Sequence, residues 1–217
     1  MMMKLNTAGP SPFGRKIKIA LHVLGLKDKV ELVMVDTADP SSENRRQNPL
    51  GKIPTLVTDE GAIYDSRVIL DYLNELSEGH KLWPASGAGR HQTLTRAALM
   101  DGAMDAAILI VYEARMRPAD MRVESFVSYQ RDKIIRALEY IEAHLEDYQN
   151  GAQPDAADIG LACLIDYLDF RQQLNWRDYA PSLEGWMMKF AADVPGYHDT
   201  LPEGVSPASF RTRQPSA

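Results

Sequence analysis

Two stretches of this 217-residue chain place polar side chains at the predicted starts of helices. Ser11 stands in the N-cap position before Pro12, and a proline at the first helical position loses no hydrogen bond. Asp65 and Ser66 precede an apolar pattern of helical spacing. The first N–H groups of a helix lack internal partners and lie at the positive end of the helix dipole. Both stretches therefore favour an anionic group, such as a carboxylate or a thiolate.

The chemistry of Asp65 and Ser66 is complementary. Asp65 can accept hydrogen bonds from an ammonium group, whereas Ser66 offers a hydroxyl and a backbone N–H to a carboxylate. The pair suits the amine and the carboxylate of one amino acid. Helix capping alone also explains these residues and Ser11, and for each stretch taken by itself it is the simpler interpretation.

A third stretch, residues 48–56, contains two prolines and a glycine, which exclude a helix, and then turns into a predicted strand at Thr55. Pro54 lies where the loop enters that strand. A cis bond before Pro54 would expose the N–H and C=O of Ile53, so that an extended peptide could pair with them. Because only about 5–6% of X–Pro bonds are cis, the residues alone favour an ordinary trans proline.

The elements around these stretches predict two domains. Residues 4–7 and 30–35 read as strands on either side of a helix that starts at Ser11, and residues 55–58 and 62–64 read as a hairpin. We expect a short, solvent-facing helix within residues 36–48. The helix from Ser66 is expected to turn Val68, Ile69, Tyr72, Leu73 and Leu76 towards the sheet. The order βαβ followed by ββα predicts a thioredoxin-like N-terminal domain of the α/β class.

Everything after a linker rich in Gly, Pro and Ser reads as helix, over residues 90–117, 123–148, 155–174 and 182–191. Asp155 and Asp158 have the spacing of a capping box. From Pro195 we expect a loosely attached tail. The predicted domains are residues 1–79, a linker over 80–89, and an all-helical domain over 90–217.

Composition excludes several classes of protein. The net charge of −6 argues against nucleic acid as a partner, and the five scattered histidines and single cysteine give no metal-binding pattern. Cys163 lies among apolar residues and is expected to be a buried, inert thiol. The N-terminus is too quickly polar for a signal peptide, and no apolar run approaches the length of about 18 residues that favours a membrane helix. A cytoplasmic location is the expectation.

Taken together, the motifs are specific, and the chain resembles the bacterial, cytosolic, Ser-type members of the glutathione S-transferase family over nearly its whole length. The run from Asn48 to Pro54, the acidic turn, and Asp65-Ser66 occur in family order. The other matching motifs are Ser11-Pro12-Phe13-x-Arg15-Lys16, Leu82-Trp83-Pro84 and Asp155-x-x-Asp158. The family usually has Ser or Thr at the place of Asp155, which is a mild departure.

The resemblance implies a thioredoxin-like N-terminal domain, an all-helical C-terminal domain and a cis bond before Pro54. It also implies glutathione as co-substrate without a metal. The implied assembly is a homodimer in which the third helix of the first domain packs against the first helices of the partner's second domain. Ser11 would donate a hydrogen bond to the sulfur, and Arg15 would add positive charge there, unless it is solvated or ion-paired. The implied glutathione-binding residues are Ser11, Lys52, Ile53, Pro54, Asp65 and Ser66.

Family resemblance also implies an electrophile pocket walled by the first helix of the second domain. We expect Phe13, Met104, Ile108 and Tyr112 to line it, although core packing explains most apolar residues of that helix. Asp101 and Asp105 on the same helix either face a partner subunit or lie in solvent.

The predicted activity is attack of the glutathione thiolate on a small apolar electrophile, with reduction of an organic hydroperoxide as a possible second activity and detoxification as the role. The alternative is a binding or regulatory protein that keeps the fold without turnover. Exchange through a mixed disulfide is disfavoured, because Ser11 stands where that chemistry requires a cysteine.

Overall fold

The computed structural model describes residues 2–79, 81–145 and 153–202. Its N-terminal domain is a four-stranded mixed sheet with helices, and its C-terminal domain is helical, as predicted. The elements of the first domain are β1 (Met3–Thr7), α1 (Pro12–Val23), β2 (Val30–Met34), α2 (Glu43–Gln47), β3 (Thr55–Thr58), β4 (Gly61–Ile63) and α3 (Ser66–Leu76).

The sheet has the strand order β2-β1-β3-β4. β1 runs parallel to β2 and antiparallel to β3, and β3 forms the hairpin with β4. Leu5 of β1 lies opposite Leu56 of β3, and both side chains are fully buried. The parallel pair requires the crossover helix α1. The residues that connect β1 to α1 therefore lie at the C-terminal end of β1.

The buried face of α3 is narrower than predicted. Ile69 and Leu73 are fully buried, but Val68 and Leu76 are 53% and 40% exposed. The expectation that Val68 and Leu76 face the sheet is wrong, because Ile69, Leu70 and Leu73 already form the core-facing stripe at helical spacing. α3 therefore carries apolar side chains on two faces.

The second domain is built around a buried helix. It consists of α4 (Gly87–Met116), α5 (Glu124–Ala143), α6 (Ala156–Arg171) and α7 (Leu183–Asp193). α6 is buried along nearly its whole length, which its apolar composition on all faces requires. α4 begins slightly before the predicted start, and the predicted end of the α5 region at Tyr148 lies outside the described residues.

The linker is also packed. Leu82 is fully buried, its N–H donates to the Asn74 side chain at 2.7 Å, and its carbonyl accepts from Ala156 N–H at 3.0 Å. These bonds tie α3 to the start of α6.

The residues after α7 are docked in the described range. Tyr197 and Thr200 are buried and contact Arg15 of α1. The expectation of a loosely attached tail is therefore wrong for residues 195–202, and its remainder, residues 203–217, lies outside the described part of the chain.

The capping box at α6 is formed in full. The Asp155 carboxylate accepts from the N–H groups of Ala157 and Asp158 at 2.8 and 2.9 Å, and the Asp158 carboxylate accepts from Asp155 N–H at 3.0 Å. Arg96 of α4 pairs with both carboxylates. The start of the central helix is thereby fixed to α4.

We predict that Asp155→Ala lowers the free energy of unfolding by about 1–2 kcal/mol, because two N–H groups of α6 lose their acceptor. Urea unfolding followed by circular dichroism measures the loss. Ser86→Ala is the matched control, since Ser86 is the N-cap of α4 but its side chain makes no capping hydrogen bond. Equal effects of the two substitutions would contradict the prediction.

Candidate functional site

Ser11 caps α1 and keeps a free donor. Its Oγ accepts a hydrogen bond from Gly14 N–H at 3.0 Å, while its own N–H donates to the carbonyl of Ala8 at 3.1 Å. A serine hydroxyl has one proton to donate and two lone pairs to accept with. Capping uses a lone pair, so the hydroxyl proton remains available to an anion at the start of the helix.

The position of Ser11 depends on close packing at the end of β1. A side chain at Gly14 would collide with the hydroxyl of Thr7 and press on Ser11. Thr7 is fully buried and, in the described part of the chain, its hydroxyl has no hydrogen-bond partner. Only glycine at position 14 allows α1 to start this close to β1. Ser11 is thereby held near the C-terminal end of that strand.

The bond between Ile53 and Pro54 is cis, as the family resemblance implies. Within the described residues, no hydrogen bond uses the N–H or C=O of Ile53. Ile53 precedes β3 and is only partly buried, so its backbone can pair with an extended ligand. The Tyr64–Asp65 bond is also cis, which sequence reasoning did not anticipate.

The loop before Pro54 is held by buried amides. The Lys52 carbonyl accepts from the side chains of Asn44, Asn48 and Thr55, each at 3.1 Å. Asn6 of β1 donates to Asn44 at 3.0 Å. The backbone of residue 52 is thereby fixed, whereas the exposed Lys52 side chain is free to meet a ligand carboxylate.

Asp65 and Ser66 form the start of α3. The Asp65 carboxylate caps the helix by accepting from Arg67 N–H at 2.9 Å, and one of its oxygens is left for a ligand. Ser66 is buried, and among the described residues its hydroxyl has no hydrogen-bond partner. This start of a helix combines an exposed carboxylate with a hydroxyl and free N–H groups.

One carboxylate of the second domain links the helices that carry Ser11 and Ser66. Asp101 of α4 pairs with Lys16 of α1 at 2.5 Å and with Arg67 of α3 at 3.0 Å. The expectation that Asp101 faces a partner subunit or solvent is wrong, because it is buried among cations of its own chain. Asp105, one turn later, lies exposed at 3.8 Å from Arg67.

Arg15 is buried and faces the second domain. It pairs with Asp166 of α6, and it donates to the Tyr197 carbonyl at 3.2 Å and to the Thr200 hydroxyl at 3.3 Å. Burial alone would lower the pKa of Arg15, but Asp166, Cys163 and Tyr197 together act in the opposite direction and the net shift is upward. Arg15 is therefore ion-paired, which is one of the alternatives that the sequence left open. A direct role of Arg15 at a ligand sulfur stays a prediction.

The expected electrophile-pocket residues differ in exposure. Tyr112 is 44% exposed, and Phe13 and Ile108 are partly buried against the core. Met104 is fully buried, so it does not line an open pocket, because α4 turns this position towards the core together with Ala103 and Ala107. The remaining three side chains stay candidates.

A separate cavity of about 550 Å³ lies in the second domain. It includes Asp166, Asp169, Trp176, Met188 and Tyr197, and none of the expected glutathione-binding residues line it.

Comparison with known proteins agrees with this architecture. The sequence model of the glutathione S-transferase N-terminal domain matches residues 7–81, and that of the C-terminal domain matches residues 92–187. The chain belongs to the glutathione S-transferase family. The GST-like protein YibF of Escherichia coli K12, itself uncharacterised, is 33% identical over 174 residues, which are 78% of this chain and 84% of YibF.

Two solved structures of a glutathione transferase family member from Pseudomonas fluorescens Pf-5 are similar to this chain. The one with bound glutathione is 39% identical with a TM-score of 0.85, covering 92% of this chain and 98% of that chain. The one with bound S-(propanoic acid)-glutathione is 38% identical with a TM-score of 0.79, covering 94% and 99%.

Neither a metal-binding group nor a membrane-spanning helix occurs in the described ranges. Residues 2–79, 81–145 and 153–202 contain no group of three or more His, Cys, Asp or Glu side chains able to hold a metal ion. In the same ranges no helix has the length and apolar character required to cross a bilayer.

Sequence reasoning missed the supporting residues of this transferase-family site. Asn6, Asn44 and Asn48 order the loop before Pro54, and Asp166 neutralises Arg15. A signal existed for Asn6, since an amide at an inward position of a strand must find a partner. No local pattern marks Asp166, because its partner is 151 residues away in sequence.

Cys163 is buried on α6, as expected from the sequence. Burial raises the pKa of its thiol to about 11, although nearby Arg15 opposes this shift. We predict that the folded protein does not react with a chromogenic disulfide at pH 7, because both the thiolate fraction and the access are low. Protein unfolded in guanidinium is the control and should release one equivalent; release at a similar rate from the folded protein would contradict the prediction.

Proposed function

We propose that this protein is a Ser-type glutathione transferase that activates the thiol of glutathione at Ser11. Ile53 would pair through its backbone with the cysteinyl residue of the tripeptide, next to Pro54. Asp65 and Ser66 would hold the amine and carboxylate of the γ-glutamyl end, and Lys52 would meet the glycyl carboxylate. The glutathione and S-(propanoic acid)-glutathione bound in the Pseudomonas fluorescens structures support a glutathione ligand for this chain.

The observation that carries the proposal is the hydrogen bonding of Ser11. Its Oγ accepts from Gly14 N–H and keeps its proton for a thiolate. A hydrogen bond to a charged group contributes about 1.5–3 kcal/mol, which corresponds to a fall of roughly one to two units in a thiol pKa. The N–H groups and dipole at the start of α1 add to this stabilisation.

The thiolate then attacks an electrophilic carbon, forms a thioether and displaces an anionic leaving group. With an organic hydroperoxide it attacks the terminal oxygen, and a second glutathione completes the reduction to alcohol, water and glutathione disulfide. Phe13, Ile108 and Tyr112 are the proposed contacts for the apolar part of the second substrate. Arg15 remains a proposed contributor of positive charge, limited by its pairing with Asp166.

Turnover of 1-chloro-2,4-dinitrobenzene and of cumene hydroperoxide, with binding of glutathione measured by calorimetry, tests the proposal. We expect glutathione to bind and at least one electrophile in a broad panel to turn over. Binding without any turnover would favour the alternative, a glutathione-binding regulatory protein. Failure to bind glutathione would contradict the proposal altogether.

We predict that Ser11→Ala raises the pKa of bound glutathione by about one unit or more and lowers turnover near neutral pH roughly tenfold. Affinity for glutathione should change little, because its other contacts are at residues 52–54, 65 and 66. Thiolate absorbance in the ultraviolet, titrated against pH, measures the shift. Ser11→Thr is the control, because threonine keeps both the hydroxyl and the helix cap. Coincident titration curves for wild type and Ser11→Ala would show that Ser11 acts only as a helix cap.

A homodimer in the cytoplasm is also proposed. The exposed apolar side chains of α3 and α4 support an interface, with Val68 and Leu76 on one helix and Leu109 and Met116 on the other.

We predict a dimer mass by light scattering at micromolar concentration, and a shift towards monomer for Val68→Glu, because a carboxylate would be buried at the interface. Met188→Glu is the control, since Met188 is similarly exposed but lies on α7. A monomeric wild type would rule out the dimer.

A further inference from the structure

Within the described residues, the hydrogen bonds of the Arg15 guanidinium go to α6 and to the residues after α7, not to the N-terminus of α1. Nη1 pairs with Asp166, Nη2 donates to the Tyr197 carbonyl at 3.2 Å, and Nε donates to the Thr200 hydroxyl at 3.3 Å. The Arg15 and Asp166 side chains are only 3% and 6% exposed. The cation one turn after Ser11 is thus turned towards α6 and the residues that follow α7.

We propose that Asp166 is a positioning residue for the thiol site: it holds Arg15 against α6 and cancels its charge, so that Ser11 and the start of α1 stabilise the thiolate with little help from that cation. This inference rests on the proposed function of Ser11. Within the described residues the Asp166 carboxylate forms hydrogen bonds with Arg15 and Tyr197, so its effect on the thiol site passes through Arg15.

The residues around Asp166 stabilise its pairing with Arg15. The Tyr197 hydroxyl donates to its second oxygen at 3.1 Å, and the Tyr197 ring lies under the guanidinium with its centroid 4.8 Å from Arg15 Cζ. Burial raises the pKa of Asp166, while Arg15 and Tyr197 act in the opposite direction. Both oxygens of the carboxylate therefore have a partner, and the guanidinium is enclosed on several sides.

The other charged groups near Arg15 do not replace Asp166. On α1, Lys16 is paired with Asp101 and the pKa of Lys18 is lowered by burial and by Arg15. On α6, Cys163 is the other titratable group facing Arg15, and its raised pKa keeps it neutral. Since Tyr197 is neutral as well, its pKa being raised mainly by burial, Asp166 is the anion that compensates Arg15 within the described residues.

The test is the thiolate titration of bound glutathione in Asp166→Asn. The amide can still accept from Arg15, but the charge of Arg15 is no longer cancelled. We expect the pKa of the bound thiol to fall by about half a unit to one unit, because an uncompensated cation one turn away favours the thiolate. Well below that pKa, the thiolate fraction should rise about threefold or more. General disruption of the site would instead raise the pKa towards that of free glutathione.

The double variant Arg15→Gln/Asp166→Asn decides the question even if the single variant does not fold. It replaces an ion pair by a neutral pair of similar shape, so we expect its titration curve to coincide with that of wild type. If Arg15 acts on the sulfur as a full cation, the double variant should instead raise the thiol pKa by about a unit, and the proposal is then overturned.

Asp169→Asn is the matched control. Asp169 lies on the next turn of α6, also lines the cavity in the second domain, and pairs with Arg177 instead of a residue of α1. Its loss should leave the thiol pKa unchanged. A wild-type curve that coincides with that of free glutathione would overturn the function of Ser11 and this inference together. A shifted, Ser11-dependent wild-type curve that Asp166→Asn does not move would overturn the role of Asp166 alone.

Discussion

Two neighbouring cations on α1, Arg15 and Lys16, are buried where the two domains meet, and each requires an anion from the other domain. Asp166 of α6 meets the first and Asp101 of α4 meets the second. Removing one partner of a buried pair costs about 3–5 kcal/mol, because the remaining charge is left without compensation. The helix that starts at Ser11 can therefore dock on the second domain only in an orientation that satisfies both pairs.

The same interdomain ion pairs involve both helix starts of the proposed glutathione site. Asp101 accepts from Lys16 and also from Arg67, the residue after Ser66. The helices α1 and α3 are otherwise joined through the sheet and through their own packing. The shared carboxylate fixes the N-termini of both helices relative to α4. Under the proposed function, the sulfur end and the γ-glutamyl end of the tripeptide would therefore be positioned together.

The sequence predicted the parts of this arrangement that depend on neighbouring residues. The cap at Ser11, the hairpin and the capping box at Asp155 follow from local patterns, and the structure has all of them. The cis bond before Pro54 came from family resemblance, since the residues alone favoured trans. The wrong expectations concern which side of a helix is covered: Asp101 and Met104 are buried, whereas Val68 and Leu76 are exposed. Periodicity defines a face, but the neighbours of that face are set by pairs distant in sequence, such as Arg15 with Asp166.

Helix capping by Ser11 and its proposed role in thiol activation are compatible in this geometry. The N–H of Gly14 occupies one lone pair of Oγ and orients the hydroxyl, and this leaves its proton for an anion. Helix formation therefore organises the donor before any ligand arrives. A donor that is already oriented loses less side-chain entropy on binding, so more of its interaction energy can favour the thiolate over the thiol. The close contact of Gly14 with Thr7 extends the same argument to β1, because the strand sets where the helix can begin.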